Sequence, residues 1–115
     1  MSSLWVQKGT TTWENNNIVI TSKVSVARLD DDGIAIRITE TRTKQGGAYS
    51  LDNYMRVDIG GTTGTPYTTD WAANSGVEAS AFYTGTAAAG VTIKVVVGFR
   101  PATTASLETV TFAAP

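Results

Sequence analysis

The sequence predicts an all-β protein, an antiparallel β-sandwich of jelly-roll or immunoglobulin-like type, formed by residues 1–115 as a single domain. Apolar and polar residues alternate over several segments, which is the pattern of half-buried strands. Threonine and valine, which favour strands, are abundant, and Gly, Asn, Asp and Pro separate the segments. No window of about ten residues has the periodicity of an amphipathic helix.

Six segments carry the alternation, and the spacing of turn residues leaves room for a seventh strand. In chain order the six are 17–29, 33–44, 50–59, 77–85, 90–100 and 107–113. One face of the first three collects the branched and long apolar residues Ile18, Ile20, Val24, Val26, Ile34, Ile36, Ile38, Leu51, Met55, Val57 and Ile59. We expect this face to be the core. A single helical turn, capped by Asp70, is the one exception that the pattern allows, at residues 70–74.

The segment Gly90–Arg100 is apolar on nearly both faces. Val95 and Val97 point to one face of the strand and Val96 points to the other, so we expect both faces to be buried. Such a strand belongs either at the centre of a sheet or beneath a neighbouring subunit. On an open edge it would promote aggregation.

The acidic run Asp30–Asp32 is followed by Gly33 and lies between two predicted strands. A three-residue loop Asp31–Gly33 would pair Asp30 with Ile34 and place Gly33 in the left-handed conformation of a bulged type I turn. A calcium loop of the EF-hand type is the alternative. It places Arg28 at the first ligand position and Thr39 at the position of the final glutamate, and neither fits. We therefore predict a turn and no metal site.

The chain has no histidine and no cysteine. Ser-His-Asp and Cys-His catalytic arrangements and thiolate metal sites are therefore excluded. Of the possible carboxylate pairs, Asp52 and Asp58 would be about 20 Å apart along one strand, and Glu40 with Glu78 is the other choice. Solvated strand faces are the simpler explanation of both pairs, and we expect neither enzymatic activity nor a cofactor.

The segment Gly60–Gly76 is long for a connector, and long loops are often functional. It contains Tyr67, Asp70, Trp71 and Asn74. Three interpretations stay open: a plug over one end of the sandwich, a contact with another subunit, and a sugar-binding platform. Trp and Tyr are typical anchors of protein interfaces.

Further contact candidates lie near the chain ends, where an isolated domain frays. These are Trp5, Trp13 and Phe112. The basic residues Lys23, Arg37 and Arg56 are expected on solvent faces. The net charge of -1 makes nucleic acid an unexpected partner.

The beginning of the sequence, MSSLWVQKG, lacks the basic and then apolar pattern of a signal peptide. No stretch approaches the roughly 18 apolar residues of a membrane span. We therefore expect a chain made in the cytosol and no membrane partner, with an extracellular location as the alternative.

Taken together, this start, the absence of Cys and His, the loops rich in Thr, Gly and Ala, and the strands NIVITSKVSV and VTIKVVVGF give the chain a general resemblance to small β-sandwich proteins of bacteriophage virions. Capsid decoration (cement) proteins and tail or fibre modules are of this kind. The resemblance implies a non-enzymatic virion protein that works as a homo-oligomer, through contacts with sister subunits and other virion proteins. It transfers no site residues. The alternative is a carbohydrate-binding or adhesion module that uses Tyr67 and Trp71 on a host-surface glycan.

Overall fold

Eight strands account for most of the described chain in a computed structural model of the protein. The structure describes residues 5–15, 18–44, 50–72, 77–100 and 106–115, and the side chains of residues 5–12, 19–41, 54–66, 81–98 and 107–115. The strands are β1 Val6–Asn15, β2 Ile18–Arg28, β3 Gly33–Lys44, β4 Ser50–Ile59, β5 Tyr67–Ala72, β6 Val77–Thr86, β7 Thr92–Arg100 and β8 Ser106–Ala113.

The strands form two four-stranded sheets in which neighbouring strands are antiparallel. The first sheet has the order β1-β2-β3-β6 and the second has the order β5-β4-β7-β8. The chain passes between the sheets after β3, after β5 and after β6. The predicted all-β antiparallel sandwich is confirmed.

The core lies between the two sheets and is built from the alternating residues that the sequence pattern singles out. Val24, Ile36 and Ile38 of the first sheet are buried, and so are Met55 and Val95 of the second sheet. Because side chains alternate across a strand, the intervening residues of β2 and β3 are placed on the outer face of the first sheet.

The strand β7 is at the centre of the second sheet, between β4 and β8. Val95 and Val97 face the core, while Val96 lies on the outer face and is still only 3% exposed. Arg56 and Thr109 are its cross-strand neighbours. Because Val96 is covered within a single chain, the apolar character of β7 does not require a neighbouring subunit.

Two strands do not correspond to any of the six predicted segments. β1 faces the core with Gly9 and Thr11, whose small or polar side chains give no apolar alternation, and its register shifts between Gln7 and Gly9. β5 occupies part of the segment that the sequence presents as one long loop. The prediction of a helical turn at Asp70 is wrong, because Asp70 lies in β5 and pairs with Asp52 of β4.

The β2–β3 turn is confirmed as a turn, but its predicted details are wrong in two respects. Arg28 pairs with Ile34, so the connection is two residues longer than predicted, although the same residues still face the core. Gly33 does not have a positive φ; the described glycines that do are Gly60, Gly61 and Gly90. Instead, Asp30 closes the turn, because its Oδ1 accepts hydrogen bonds from the backbone N–H groups of Asp32 and Gly33.

The Arg28 side chain fixes the end of the sandwich where this turn lies. Its guanidinium donates to the carbonyl oxygen of Ala87 at 2.7 Å and to that of Pro115 at 3.1 Å. It thereby joins the turn to the β6–β7 connection and to the segment after β8. Charge-assisted bonds of this kind are stronger than neutral ones.

Candidate interaction surface

The outer face of the first sheet has a centre of small residues. Ala27 pairs with Ala35 across β2 and β3, and Ser25 pairs with Arg37. Ala27 and Ala35 are 1% and 7% exposed although they point away from the core. Something on the outer face must therefore cover them.

Three side chains meet on this face. The guanidinium carbon of Arg37 lies 4.6 Å from the centroid of the Trp5 ring, which is cation–π geometry. The rings of Trp5 and Phe82 meet edge to face, with centroids 6.3 Å apart. Since Arg37 pairs with Phe82 across β3 and β6, the Trp5 indole reaches over β2 and β3, the strands that contain the small residues. We call Trp5, Arg37 and Phe82 the aromatic–basic cluster.

Phe82 is the exposed member of this cluster. Its side chain is 65% exposed, whereas Trp5 and Arg37 are half-buried. Around the cluster the face carries mostly hydroxyl groups. The described hydroxyl residues on it are Thr10, Thr12, Thr21, Ser25, Thr39, Thr41, Thr84 and Thr86.

The charged side chains that the structure describes on this face are basic, while the strand register also places Glu14 and Glu78 on it. Lys23 is exposed and pairs with Thr39, next to the Ser25–Arg37 pair. Among the side chains that the structure describes, no carboxylate lies on the outer face of the first sheet. Arg56 does not join Lys23 and Arg37 as the sequence led us to expect, because it lies in β4 on the outer face of the second sheet.

The contact candidates from the sequence fall in different places. Trp5 is in the aromatic–basic cluster, and Phe112 is half-buried against the core cluster. Trp13 lies in β1, where its backbone pairs with Ile20 of β2. Tyr67 lies in β5, where its backbone pairs with Met55 of β4. In β5 the backbone of Trp71 pairs with Leu51. The side chains of Trp13, Tyr67, Asp70 and Trp71, and the whole of Asn74, lie outside the described part.

Phe82 was missed as a contact residue, although the sequence contains a signal. In VEASAFYTG, Ala81 and Tyr83 take the core-facing positions. An aromatic residue between them stands at a position where alternation demands a polar one. A large apolar residue at a strand position whose side chain points to solvent is therefore the feature that could have identified this surface.

The strands do not bring together either of the two carboxylate pairs considered from the sequence. Glu40 is fully buried and accepts a hydrogen bond from the Ser22 hydroxyl at 3.1 Å, so the expectation of a solvated face is wrong there. Glu78 pairs with Thr41, which follows Glu40 in β3. Glu78 is therefore on the outer face of the first sheet, whereas Glu40 is on the core face. Asp58 is also buried, and it binds Arg56. In Asp30–Asp32, Asp30 serves the turn, and the described residues contain no group of three or more acidic, His or Cys side chains placed to hold a metal.

Asp58 belongs to a small network on the outer face of the second sheet. Both of its oxygens accept from the Arg56 guanidinium, and Oδ1 also accepts from the Gly64 N–H at 2.9 Å. The bonds from Arg56 are the main cause that holds the pKa of Asp58 below its ordinary value. Its hydrogen bonds to Asp58 likewise raise the pKa of Arg56, which also donates to the Tyr54 hydroxyl. This network fixes the loop after β4 and occupies both the Asp58 carboxylate and the Arg56 guanidinium.

A small cleft opens between the sheets beside β6. Its walls are mostly apolar, with Ile34, Val57, Ile59 and Tyr83 among them, and its volume is about 270 Å³. Ligand pockets usually measure roughly 300–1,000 Å³ and present several convergent polar groups. The cleft is smaller and poor in such groups, so the outer face of the first sheet is the better candidate surface.

Comparisons of the chain with protein-family models, with curated proteins and with solved structures find no match. The fold and the surface therefore define the class, a two-sheet antiparallel β-sandwich with an exposed aromatic–basic cluster. Within the described ranges there is also no helix with the length and apolar character to cross a membrane.

Proposed function

We propose that this protein is a non-enzymatic structural or assembly protein that acts through protein–protein contacts. The observation that carries the proposal is the exposed Phe82 ring, 65% accessible beside Trp5 and Arg37. Trp and Arg are enriched among the residues that dominate interface energies, and aromatic residues are enriched at interface cores.

The cluster has the organisation that binding hot spots require. Arg37 is already held against Trp5, so less side-chain freedom is lost when a partner arrives. Phe82 supplies apolar area, and the surrounding threonines provide a polar rim. A central anchor within a polar rim is the usual anatomy of a specific interface.

The specific role that we propose is that of a virion component, either a capsid decoration (cement) protein or a tail module. This part rests on the general resemblance of the sequence to such proteins. The partners would be sister subunits and other virion proteins, and assembly would take place in the host cytoplasm.

The test is sedimentation of the wild type over a wide concentration range, with the mass and symmetry of the native assembly measured by electron microscopy. Phe82→Ser should weaken association by roughly tenfold or more, the scale of a hot-spot residue. Leu107→Ser is the matched control, because Leu107 is 50% exposed but lies in β8 of the second sheet. A wild type that remains monomeric and is absent from particles would refute the proposal.

A carbohydrate-binding or adhesion module is the second candidate. It is favoured by the hydroxyl groups that surround the exposed Phe82 ring. Binding on a glycan array that is lost in Phe82→Ser would support this role on the first sheet. Binding lost only in Trp71→Ala would instead place the sugar site at β5, as the sequence pattern proposed.

A further inference from the structure

The β2–β3 turn presents both apolar and acidic groups to solvent. Leu29 is 51% exposed, and Asp31 and Asp32 are exposed as well. Asp30 is occupied with closing the turn, and the nearby Arg28 guanidinium points to backbone carbonyls. The carboxylates of Asp31 and Asp32 have no side-chain partner among the described residues.

The aromatic–basic cluster has the complementary properties. It offers the apolar Phe82 ring together with two cations, Arg37 and the neighbouring Lys23. Among the described side chains the one ion pair is Arg56–Asp58, so neither of these cations is paired with a described carboxylate. The first sheet thus carries an exposed apolar residue beside acids, Leu29 in the β2–β3 turn, and an exposed apolar ring beside bases, Phe82 in β6.

We propose that the turn Leu29–Asp32 of a second copy of this chain docks on the aromatic–basic cluster, with Leu29 against Phe82 and the free aspartates beside Arg37 and Lys23. This inference rests on the proposed function and specifies the partner. A second copy is the chosen occupant because the chain itself carries the matching charges. Its net charge of only -1 also keeps the repulsion between copies small.

The position of the two surfaces favours a reciprocal contact. Arg37 follows the turn residue Gly33 by four positions in β3, which corresponds to about 13 Å along the strand. If the outer faces of two first sheets approach each other around a two-fold axis, each turn reaches the cluster of the other copy. In such an isologous interface both contacts form at once.

The experiment uses sedimentation with two charge-altered variants. The turn variant carries Asp31→Lys and Asp32→Lys and retains the capping residue Asp30. The face variant carries Lys23→Glu and Thr39→Glu and leaves Arg37 stacked on Trp5. We expect each variant alone to associate at least roughly tenfold more weakly than the wild type, since like charges then oppose each other.

An equimolar mixture of the two variants is the decisive sample. Its heterodimer joins an acidic turn to a basic face and a basic turn to an acidic face, so association should return to within roughly threefold of the wild type. The control is Thr109→Lys with Thr111→Lys, which adds charge to the outer face of the second sheet and should leave association unchanged. Circular dichroism verifies that each variant is folded.

The outcomes separate this inference from the proposed function. If the wild type associates and Phe82→Ser weakens it, but the turn variant associates normally, the turn is not the partner and the proposed function stands. A mixture that fails to recover association also overturns the inference. A wild type that is monomeric at every concentration and absent from particles overturns both.

Discussion

Arg56 and Asp58 lie two residues apart in β4, and their side chains meet on the outer face of the second sheet with Nε and Oδ1 2.8 Å apart. A second bond joins Nη2 to Oδ2 at 3.0 Å. The pair is bidentate, and Asp58 also holds the Gly64 N–H. One carboxylate thus connects a strand to the loop that follows it.

Asp58 should make stability depend on acid pH. The pKa of Asp58 in the folded protein lies below the ordinary value of 3.8. Its contribution to the free energy of unfolding is therefore complete at pH values above 3.8. The contribution is lost as pH falls through the folded-state pKa. In urea unfolding between neutral and strongly acid pH, the free energy of unfolding should fall less for Asp58→Asn than for the wild type. Arg56→Gln should also reduce this fall. Curves parallel to that of the wild type would contradict the assignment.

Glu40 should be a costly residue to remove, although it is an acidic residue. It is fully buried and accepts the Ser22 hydroxyl, so Glu40→Ala leaves a buried donor without its acceptor. We expect a loss of about 2–3 kcal/mol in the free energy of unfolding. Glu40→Gln retains an acceptor and should cost less, and the exposed neighbour Thr41→Ala is the control. Equal effects at positions 40 and 41 would disprove the role.

The acidic turn should depend on Asp30 and not on Asp31. Asp30→Ala removes two hydrogen bonds to backbone N–H groups and should destabilise the protein by about 1–2 kcal/mol. Asp31→Ala should change stability little, and calcium or a chelator should leave the Tm unchanged. Gly33→Ala tests the same contact, because an added Cβ would lie 2.9 Å from Asp30 Oδ1. A calcium-dependent rise in Tm of several degrees would revive the metal site.

Gly64 should tolerate substitution less well than Gly61. A Cβ at Gly64 would lie 2.0 Å from the carbonyl oxygen of Val57, so the loop would have to move away from β4. Gly64→Ala should cost about 1–3 kcal/mol, as expected for forced overpacking. At Gly61 the φ of 84° is the only obstacle and a Cβ meets nothing within 4 Å, so Gly61→Ala should cost less, about 1 kcal/mol. Thermal unfolding of both variants decides the order.

The candidate surface was only partly predictable. Trp5 was identified from its position near the chain end, but Arg37 was treated as one solvent-facing charge among several, and Phe82 was not singled out. A period-two pattern assigns residues to faces and does not say which neighbours meet across strands. The meeting of Trp5 and Phe82 depends on the pairing of β3 with β6, strands that are distant in the sequence.

The all-β class, the strands β2, β3, β4, β6, β7 and β8 and most apolar residues of the core follow from the sequence alone, because alternation is a local property of the chain. The sequence also placed the turn at Asp30–Asp32. The strand order, the strands β1 and β5 and the burial of Glu40 and Asp58 became known only from the folded structure. The strand order and the burial of Glu40 depend on partners far along the chain, such as Ser22 for Glu40, and no local pattern encodes which distant strand becomes the neighbour.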